Sequence, residues 1–340
     1  MTTSSLARVF GELRELVETK RRFALSGHVS IDGDSLGSMV AFYFYLLDLG
    51  REVRAFVYEP LSQRYDYLGI DSLVEVFAAS RHTEFVRRSD AFIAFDLSSP
   101  SRLGDAEAAL RKGNCKVVYI DHHPQHGPPP GDINVIDESA CATGKIVYDY
   151  FKHCGARLTP PVARSLITAI VTDTGWFRYS NTTREAFRVM AELLDNEVDL
   201  VGLYRAIYQR NSLPLLRLTG TVTAHLKEEA GGQLLWATIP LEQSRELGLD
   251  EDYDTDVILD LLRSGDGVEV VALFREVPEG KVRVNLRSQG AVDVNRVARR
   301  FGGGGHRNAA GITYSGDLAA DAERIIGALR DELDAARGAP

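Results

Sequence analysis

Three short apolar runs in the first half of the chain each end on side chains able to hold a cation, and this repetition constrains the fold more than any other feature. Phe23-Ala24-Leu25-Ser26-Gly27 runs into His28 and then into Asp32-Gly33-Asp34. Ala91-Phe92-Ile93-Ala94-Phe95 runs into Asp96, and Lys116-Val117-Val118-Tyr119-Ile120 into Asp121-His122-His123. Runs of this length, with helical stretches between them, read as strands of βαβ units that assemble a parallel sheet. Open sheets of that kind bind ligands in the crevice beyond the carboxyl ends of their strands. The three polar endings therefore belong to one edge. A fourth acid, Asp173, closes the helical-looking stretch from Ser165 to Thr172 and joins the set.

The candidate metal ligands are thus His28, Asp32, Asp34, Asp96, His122 and Asp173. Carboxylates and imidazoles suit divalent first-row metals such as Mn2+, and the four acids balance the charge of two such ions. A shared carboxylate holds two ions roughly 3.5–4 Å apart, the spacing of two-metal phosphoryl-transfer sites. Each residue also has a plainer reading. Asp32-Gly33-Asp34 alone is a turn, and a histidine shortly before it, after a strand, tips it toward a ligand set. The helix opening at Ser35-Leu36-Gly37-Ser38 offers N–H groups to a phosphate oxygen. Asp96 alone reads as the cap of the next helix, helped by Ser98 and Ser99. Adjacent His122 and His123 point different ways at a strand end, so one can bind metal while the other faces substrate; the plain alternative is two surface histidines. His126 lies in a Gly/Pro loop and is left out of the site. Asp173 alone is a turn residue, and Trp176, Phe177 and Tyr179 read as core.

Strands are expected at 22–27, 52–58, 91–95, 116–120 and 133–136, with helices at 5–20, 35–49, 102–112, 143–153 and 162–172. Helical stretches at 183–196 and 199–209 lead into Gln209-Arg210-Asn211-Ser212-Leu213-Pro214, where we place the boundary between a domain at 1–209 and one at 214–340. The second domain reads as helix 214–227, strand 233–239, helix 254–263, strands 268–275 and 281–287, helix 292–301 and helix 318–336. Between its last two helices Gly302-Gly303-Gly304-Gly305 precede His306 and Arg307. Four glycines are expensive in backbone entropy. They allow close approach of backbone to a ligand, and successive N–H groups can form an anion-binding nest; Ala309-Ala310-Gly311 beyond them suggests a tight, packed turn rather than a floppy one.

The net charge of −9 argues against binding long nucleic acid, yet residues 275–307 hold eight basic side chains against three acids. A local anion site in an acidic chain fits a small phosphorylated ligand, with a solvated charged face as the bland alternative. The longest membrane-like run, Met39 to Leu47, is far short of the roughly 20 apolar residues a span needs, so no membrane role is expected. The N-terminus lacks the apolar core of a secretory signal, and Cys115, Cys141 and Cys154 suggest no disulfide frame. A cytoplasmic protein is the expectation.

Together, His28–Ser38, Asp96, Asp121-His122-His123, Thr172–Thr183 and Gly302–Gly311 resemble, in order and spacing, the DHH phosphoesterase family, in its short form with a DHH-associated C-terminal domain. The resemblance implies an α/β fold: an N-terminal domain with a mainly parallel sheet flanked by helices, a smaller C-terminal α/β domain, and an active site in the cleft between them. It implies two divalent ions, most naturally Mn2+, with Mg2+ or Co2+ as alternatives. One ion would take His28, Asp32 and Asp96, and the other Asp34, Asp96, His122 and Asp173. His123 would contact the scissile phosphate and Asp121 would orient a histidine. Arg283, Arg287, Ser288, Gly302, Gly303, Gly304, Gly305 and His306 would hold the far phosphate or sugar of the nucleotide.

The implied activity is hydrolysis of short oligoribonucleotides (2–5 nucleotides) to 5′-mononucleotides, and of 3′-phosphoadenosine 5′-phosphate (pAp) to AMP, by a chain that acts on no long duplex and forms a homodimer. Ile31 stands where the family has proline, and Pro124-Gln125-His126 is an unusual continuation of the DHH motif. The rival enzymatic readings are a phosphodiesterase for cyclic or linear dinucleotides and a RecJ-like single-strand exonuclease. The rival from another class is a nucleotide sensor or RNA-binding module that does not turn over its ligand.

Overall fold

A computed structural model describes residues 3–97, 99–111, 113–125, 127, 130–250 and 253–337. The chain divides into two compact units, Met1–Arg210 and Asn211–Pro340.

The first unit runs α1 (Thr3–Thr19), β1 (Arg22–Ser26), α2 (Gly33–Asp48), β2 (Glu52–Val57), β3 (Val74–Val76), α3 (Ala79–Arg88), β4 (Ala91–Phe95), α4 (Ala106–Leu110), β5 (Lys116–Asp121), β6 (Ile133–Ile136), α5 (Thr143–Cys154), α6 (Pro160–Asp173), α7 (Arg184–Leu194) and α8 (Leu200–Tyr208). Its six strands are all parallel, in the order β3-β2-β1-β4-β5-β6. From β1 the chain builds outward one way to β3, then crosses back to β4 on the other side. The strand order therefore reverses between β1 and β4, and crevices open at such points.

The apolar runs are strands because both of their faces are covered. Phe23, Ala24 and Leu25 of β1 and all five residues of β4 are fully buried, which is why they read as continuous rather than alternating runs. Helix α2 is buried on nearly all sides and lies tight against α6: a Cβ at Gly37 would sit 2.4 Å from the Ser165 carbonyl oxygen. That close approach fixes the start of α2, with Asp32 and Asp34, relative to Asp173 at the end of α6.

Two expectations fail in this unit. Strand β3 and helix α3 were not anticipated, since Val74-Glu75-Val76 is too short and too polar to stand out. The single helix expected at 102–112 is instead a 3-10 turn at Pro100–Leu103 followed by α4, split at Gly104, whose φ of +49° no regular helix accommodates.

The second unit runs α9 (Leu213–Ala224), β7 (Lys227–Glu229), β8 (Leu234–Ile239), α10 (Leu241–Glu246), α11 (Asp256–Arg263), β9 (Val270–Val277), β10 (Lys281–Ser288), α12 (Val294–Arg300), β11 (Gly304–His306), β12 (Ala309–Ser315) and α13 (Leu318–Arg337). Its sheet has the order β11-β12-β10-β9-β8-β7, antiparallel except for the parallel pair β8–β9. One face packs Trp236, Ala272 and Phe274 with the apolar sides of α12 and α13. The other packs Val271 and Leu273 with α9 and α11. Strand β7 was not foreseen, because the helix expected to reach residue 227 ends at Ala224, and helix α10, after β8, was not foreseen either. Among the described residues no helix is long and apolar enough to cross a membrane.

Candidate active site

The carboxyl edge of the parallel sheet gathers the candidate ligands around the β1–β4 crevice. His28 follows β1 and is buried; its Nδ1 lies 2.7 Å from the Val29 carbonyl oxygen. Its Nε2 is 3.5 Å from Asp32 Oδ2 and 3.8 Å from Asp96 Oδ2. Asp32 caps α2, accepting from the Ser35 amide at 3.0 Å. The expectation that this helix start receives a phosphate oxygen is corrected here for Ser35, whose amide is already taken and whose hydroxyl donates to the Phe95 carbonyl.

Asp34 is 1% exposed. Its carboxylate sits at the start of α5, accepting from the Thr143 and Gly144 amides at 2.7 and 2.9 Å and from the Ser38 hydroxyl at 3.0 Å. A helix N-terminus is the natural place for a buried negative charge. Asp96, 2% exposed, takes a left-handed backbone (φ +62°) just after β4, a conformation that aspartate tolerates better than most residues. It accepts from the Thr143 hydroxyl at 3.0 Å and caps no helix.

At the end of β5 the three motif residues differ in surroundings. Asp121 is 1% exposed and accepts from His123 Nδ1 at 2.7 Å and from Gln125 at 3.2 Å. His122 donates from Nδ1 to the Ala140 carbonyl. That leaves its Nε2 toward the acids, 3.6 Å from Asp96, 3.7 Å from Asp173 and 3.8 Å from Asp34. Asp173, at the end of α6, is held by the Asn181 side-chain amide, which donates to its carboxylate at 3.0 Å and to the Cys141 carbonyl at 2.9 Å.

Ligand-competent atoms converge within 4.8 Å in three groups: His28, Asp32 and Asp96; Asp34, His122 and Asp173; and Asp96, His122 and His123. Burial, with the neighbouring carboxylates adding to it, raises the Asp34 and Asp96 carboxyls far above the usual carboxylate range. For His122, burial disfavours the charged ring, but Asp34, Asp173 and Asp96 outweigh it and push its pKa up. Among the described residues, no lysine or arginine forms an ion pair with Asp34, Asp96 or Asp173; their charged neighbours are histidines and one another. Buried like charges are costly unless paired or metal-bound. This donor set of buried carboxylates and imidazoles, each histidine braced by a carbonyl or carboxylate, fits divalent cations.

Sequence reasoning missed Thr143, which joins Asp34 to Asp96, and gave no role to Asn181. The one signal for Thr143 was its place at the start of a helix near the centre of the chain. His126 lies outside the described residues.

In the second unit Arg283 and Arg287 lie on β10, with alternate residues of a strand sharing a face. Arg287 pairs with Asp256 at 2.7 Å. Ser288 is 2% exposed and its hydroxyl donates to the Val292 carbonyl, so it braces the turn after β10 instead of presenting itself to solvent. The glycines form the tight turn that Ala309-Ala310-Gly311 suggested: a Cβ at Gly303 would meet the Gly311 carbonyl oxygen at 2.2 Å. The nest expectation is corrected for Gly302 and Gly303, whose amides donate to the Arg299 and Ala298 carbonyls and end α12. Gly304, Gly305 and the His306 backbone pair with β12; the His306 side chain lies outside the described part of the structure.

The sequence model of the DHH family N-terminal domain matches residues 22–171, and that of the DHHA1 domain matches residues 249–335. A Thermus thermophilus protein named bifunctional oligoribonuclease and PAP phosphatase NrnA is 34% identical over 310 residues, spanning 91% of this chain and 89% of that protein. A Bacillus subtilis protein of the same name is 28% identical, spanning 70% of this chain and 73% of its own length. A solved structure, described as an exopolyphosphatase-related protein from Bacteroides fragilis, superposes with a TM-score of 0.91 at 22% identity, covering 97% of this chain and 98% of that one.

Proposed function

The chain belongs to the DHH family, and on that premise we propose that it is a metal-dependent phosphoesterase that degrades oligoribonucleotides of two to five residues to 5′-mononucleotides and converts pAp to AMP. The relatives bearing the oligoribonuclease and PAP phosphatase name support the substrate class. The observation that carries the chemistry is the convergence of His28, Asp34, Asp96, His122 and Asp173, in which, among the described residues, no lysine or arginine forms an ion pair with the three acids.

We assign His28, Asp32 and Asp96 to one divalent ion and Asp34, Asp96, His122 and Asp173 to a second, with Mn2+ the preferred metal. Such ions lower the pKa of water and offset the charge that develops on a phosphoryl group in flight. The protein's own groups do the positioning. The Thr143 hydroxyl fixes one oxygen of Asp96, and the start of α5 fixes both oxygens of Asp34. His123, its Nδ1 proton engaged by Asp121, acts through its second ring nitrogen to stabilise or protonate the departing oxygen. Recognition of the rest of the nucleotide falls to Arg283, Arg287 and the Gly302–His306 turn, with Ser288 bracing the strand end.

One competitive digestion tests the reading. pAp, dinucleotides, five-mers, long single-stranded DNA and a cyclic dinucleotide are mixed with the protein and Mn2+ and followed by mass spectrometry. The short linear substrates and pAp should disappear first. Fastest loss of the long DNA would overturn the substrate assignment, and loss of the cyclic dinucleotide alone would move the protein to the dinucleotide phosphodiesterases.

A further inference from the structure

Arg102 has no part in the assignment above. It sits in the 3-10 turn after β4, and its carbonyl accepts from the Val29 amide at 2.9 Å, which pins the turn beside His28. The side chain is half-buried, and its Nη2 lies 3.0 Å from His28 Nδ1. Among the described residues no carboxylate forms an ion pair with it, although it stands close enough to bear on the charge of Asp32.

The contact with His28 is contested. Nδ1 also lies 2.7 Å from the Val29 carbonyl oxygen, and a carbonyl can only accept while a guanidinium can only donate. Nδ1 can serve one of them. Bearing the ring proton it donates to Val29, and bearing the lone pair it accepts from Arg102. The choice is made at the other nitrogen, which faces Asp32 and Asp96. With only carboxylates before it, Nε2 keeps the proton and Arg102 has its acceptor. With a cation before it, Nε2 must offer its lone pair, and the ring proton resides on Nδ1. Ligating histidines ordinarily donate that proton to a carbonyl or carboxylate, and here Val29 is in place. In that state Nδ1 offers Arg102 no acceptor, while the Arg102 backbone stays fixed at the rim of the site.

We propose that Arg102 is a phosphate-binding residue of this site, turned over to a phosphate oxygen of the substrate when His28 engages a cation. The proposal rests on the phosphoesterase reading and adds a residue and a linkage to it. A guanidinium is suited to phosphate, offering a planar fork of donors to its oxygens. The half-buried turn holds that fork in place, so little freedom is lost on binding. Cation and phosphate then bind cooperatively through one imidazole.

The test uses the full chain and inorganic phosphate, the group that pAp hydrolysis releases at the cation site, as the probe, with affinity measured by calorimetry in the presence and absence of Mn2+. Arg102→Gln should weaken phosphate binding about tenfold with Mn2+, the low end for a charge-assisted hydrogen bond, and change it less than about twofold without. Arg102→Lys should recover part of the loss. Mn2+ affinity, read by electron paramagnetic resonance, should match wild type in both variants. An equal loss with and without Mn2+ would overturn the linkage. No loss with Mn2+, or weakened Mn2+ binding, would overturn the phosphate role. A wild-type protein that binds Mn2+ but hydrolyses neither pAp nor dinucleotides would overturn the functional reading and this proposal together. Normal wild-type turnover beside an unchanged Arg102→Gln would sink only the proposal.

Discussion

At the carboxyl edge of the parallel sheet, Asp34, Asp96 and Asp121 are all but excluded from solvent, and two of the three face other acids. At the glycine turn of the second unit, the polar groups are quiet: Gly302 and Gly303 amides close a helix, and Ser288 is satisfied by Val292. One region concentrates buried acids, which is costly unless they are paired or metal-bound. The other removes side chains so that backbone packs on backbone. The contrast separates a place built for reaction from a place built for shape, and the two should respond to mutation in opposite ways.

The largest effect is expected at Asp96. Asp96→Asn keeps the size and tolerates the left-handed backbone, yet should lower kcat/KM for pAp roughly 10³-fold, about 4 kcal/mol. In the absence of metal the same variant should be more stable than wild type by about 1 kcal/mol, a rise of about 2–4 °C in melting temperature, because a buried amide carries neither the charge that crowds the other acids nor the cost of taking up a proton to avoid it. A metal-free variant that melts lower would break the picture of stored repulsion. Thr143→Val, which removes the hydroxyl that orients Asp96, should cost about 10–100-fold in Mn2+ affinity or activity, measured by titration and initial rates; wild-type behaviour would mean that Asp96 needs no such support.

Gly303→Ala should do the reverse. Its new methyl group would collide with the Gly311 carbonyl and destabilise the second unit by about 1–3 kcal/mol, read from its thermal transition, with Mn2+ binding unchanged. Loss of metal binding without loss of stability would contradict the division between the two regions.

The smallest effect belongs to the opposite end of the parallel sheet, where a carboxylate is satisfied. Partial burial of Asp90 works against its charge, but the amides of Arg22 and Arg21 donate to it and hold its pKa below the usual value. A depressed carboxylate contributes stability above its unfolded pKa of about 3.9 and loses it as pH falls through the folded value. Asp90→Asn should therefore be slightly less stable than wild type at pH 6, with the gap closing in acid. A gap that widens in acid would reverse the sign.

Residues at strand ends were legible because each follows a run of apolar residues that a doubly covered strand explains; His28, Asp96 and His122 came from that pattern, while Asp32, Asp34 and Asp173 joined them from the neighbouring turn and helix end. The difference between Asp32 and Asp34 was not legible. Two residues apart, one is an exposed cap and the other a buried anchor, and the anchor is defined by Thr143 and Gly144, far along the chain. Arg102 was hidden for the same reason: its neighbour His28 is close only after β1 and β4 pair. The glycine turn was legible as tight packing, while the direction of its amides was not, since a helix end and an anion nest draw on the same residues.

The two amides that anchor Asp34 come from residues 109 and 110 positions later. During synthesis the first strand and α2 leave the ribosome long before those donors exist, and closing so long a loop carries an entropic toll. The last of the converging acids, Asp173, lies later still, so the full donor set cannot assemble until the chain has been made at least that far.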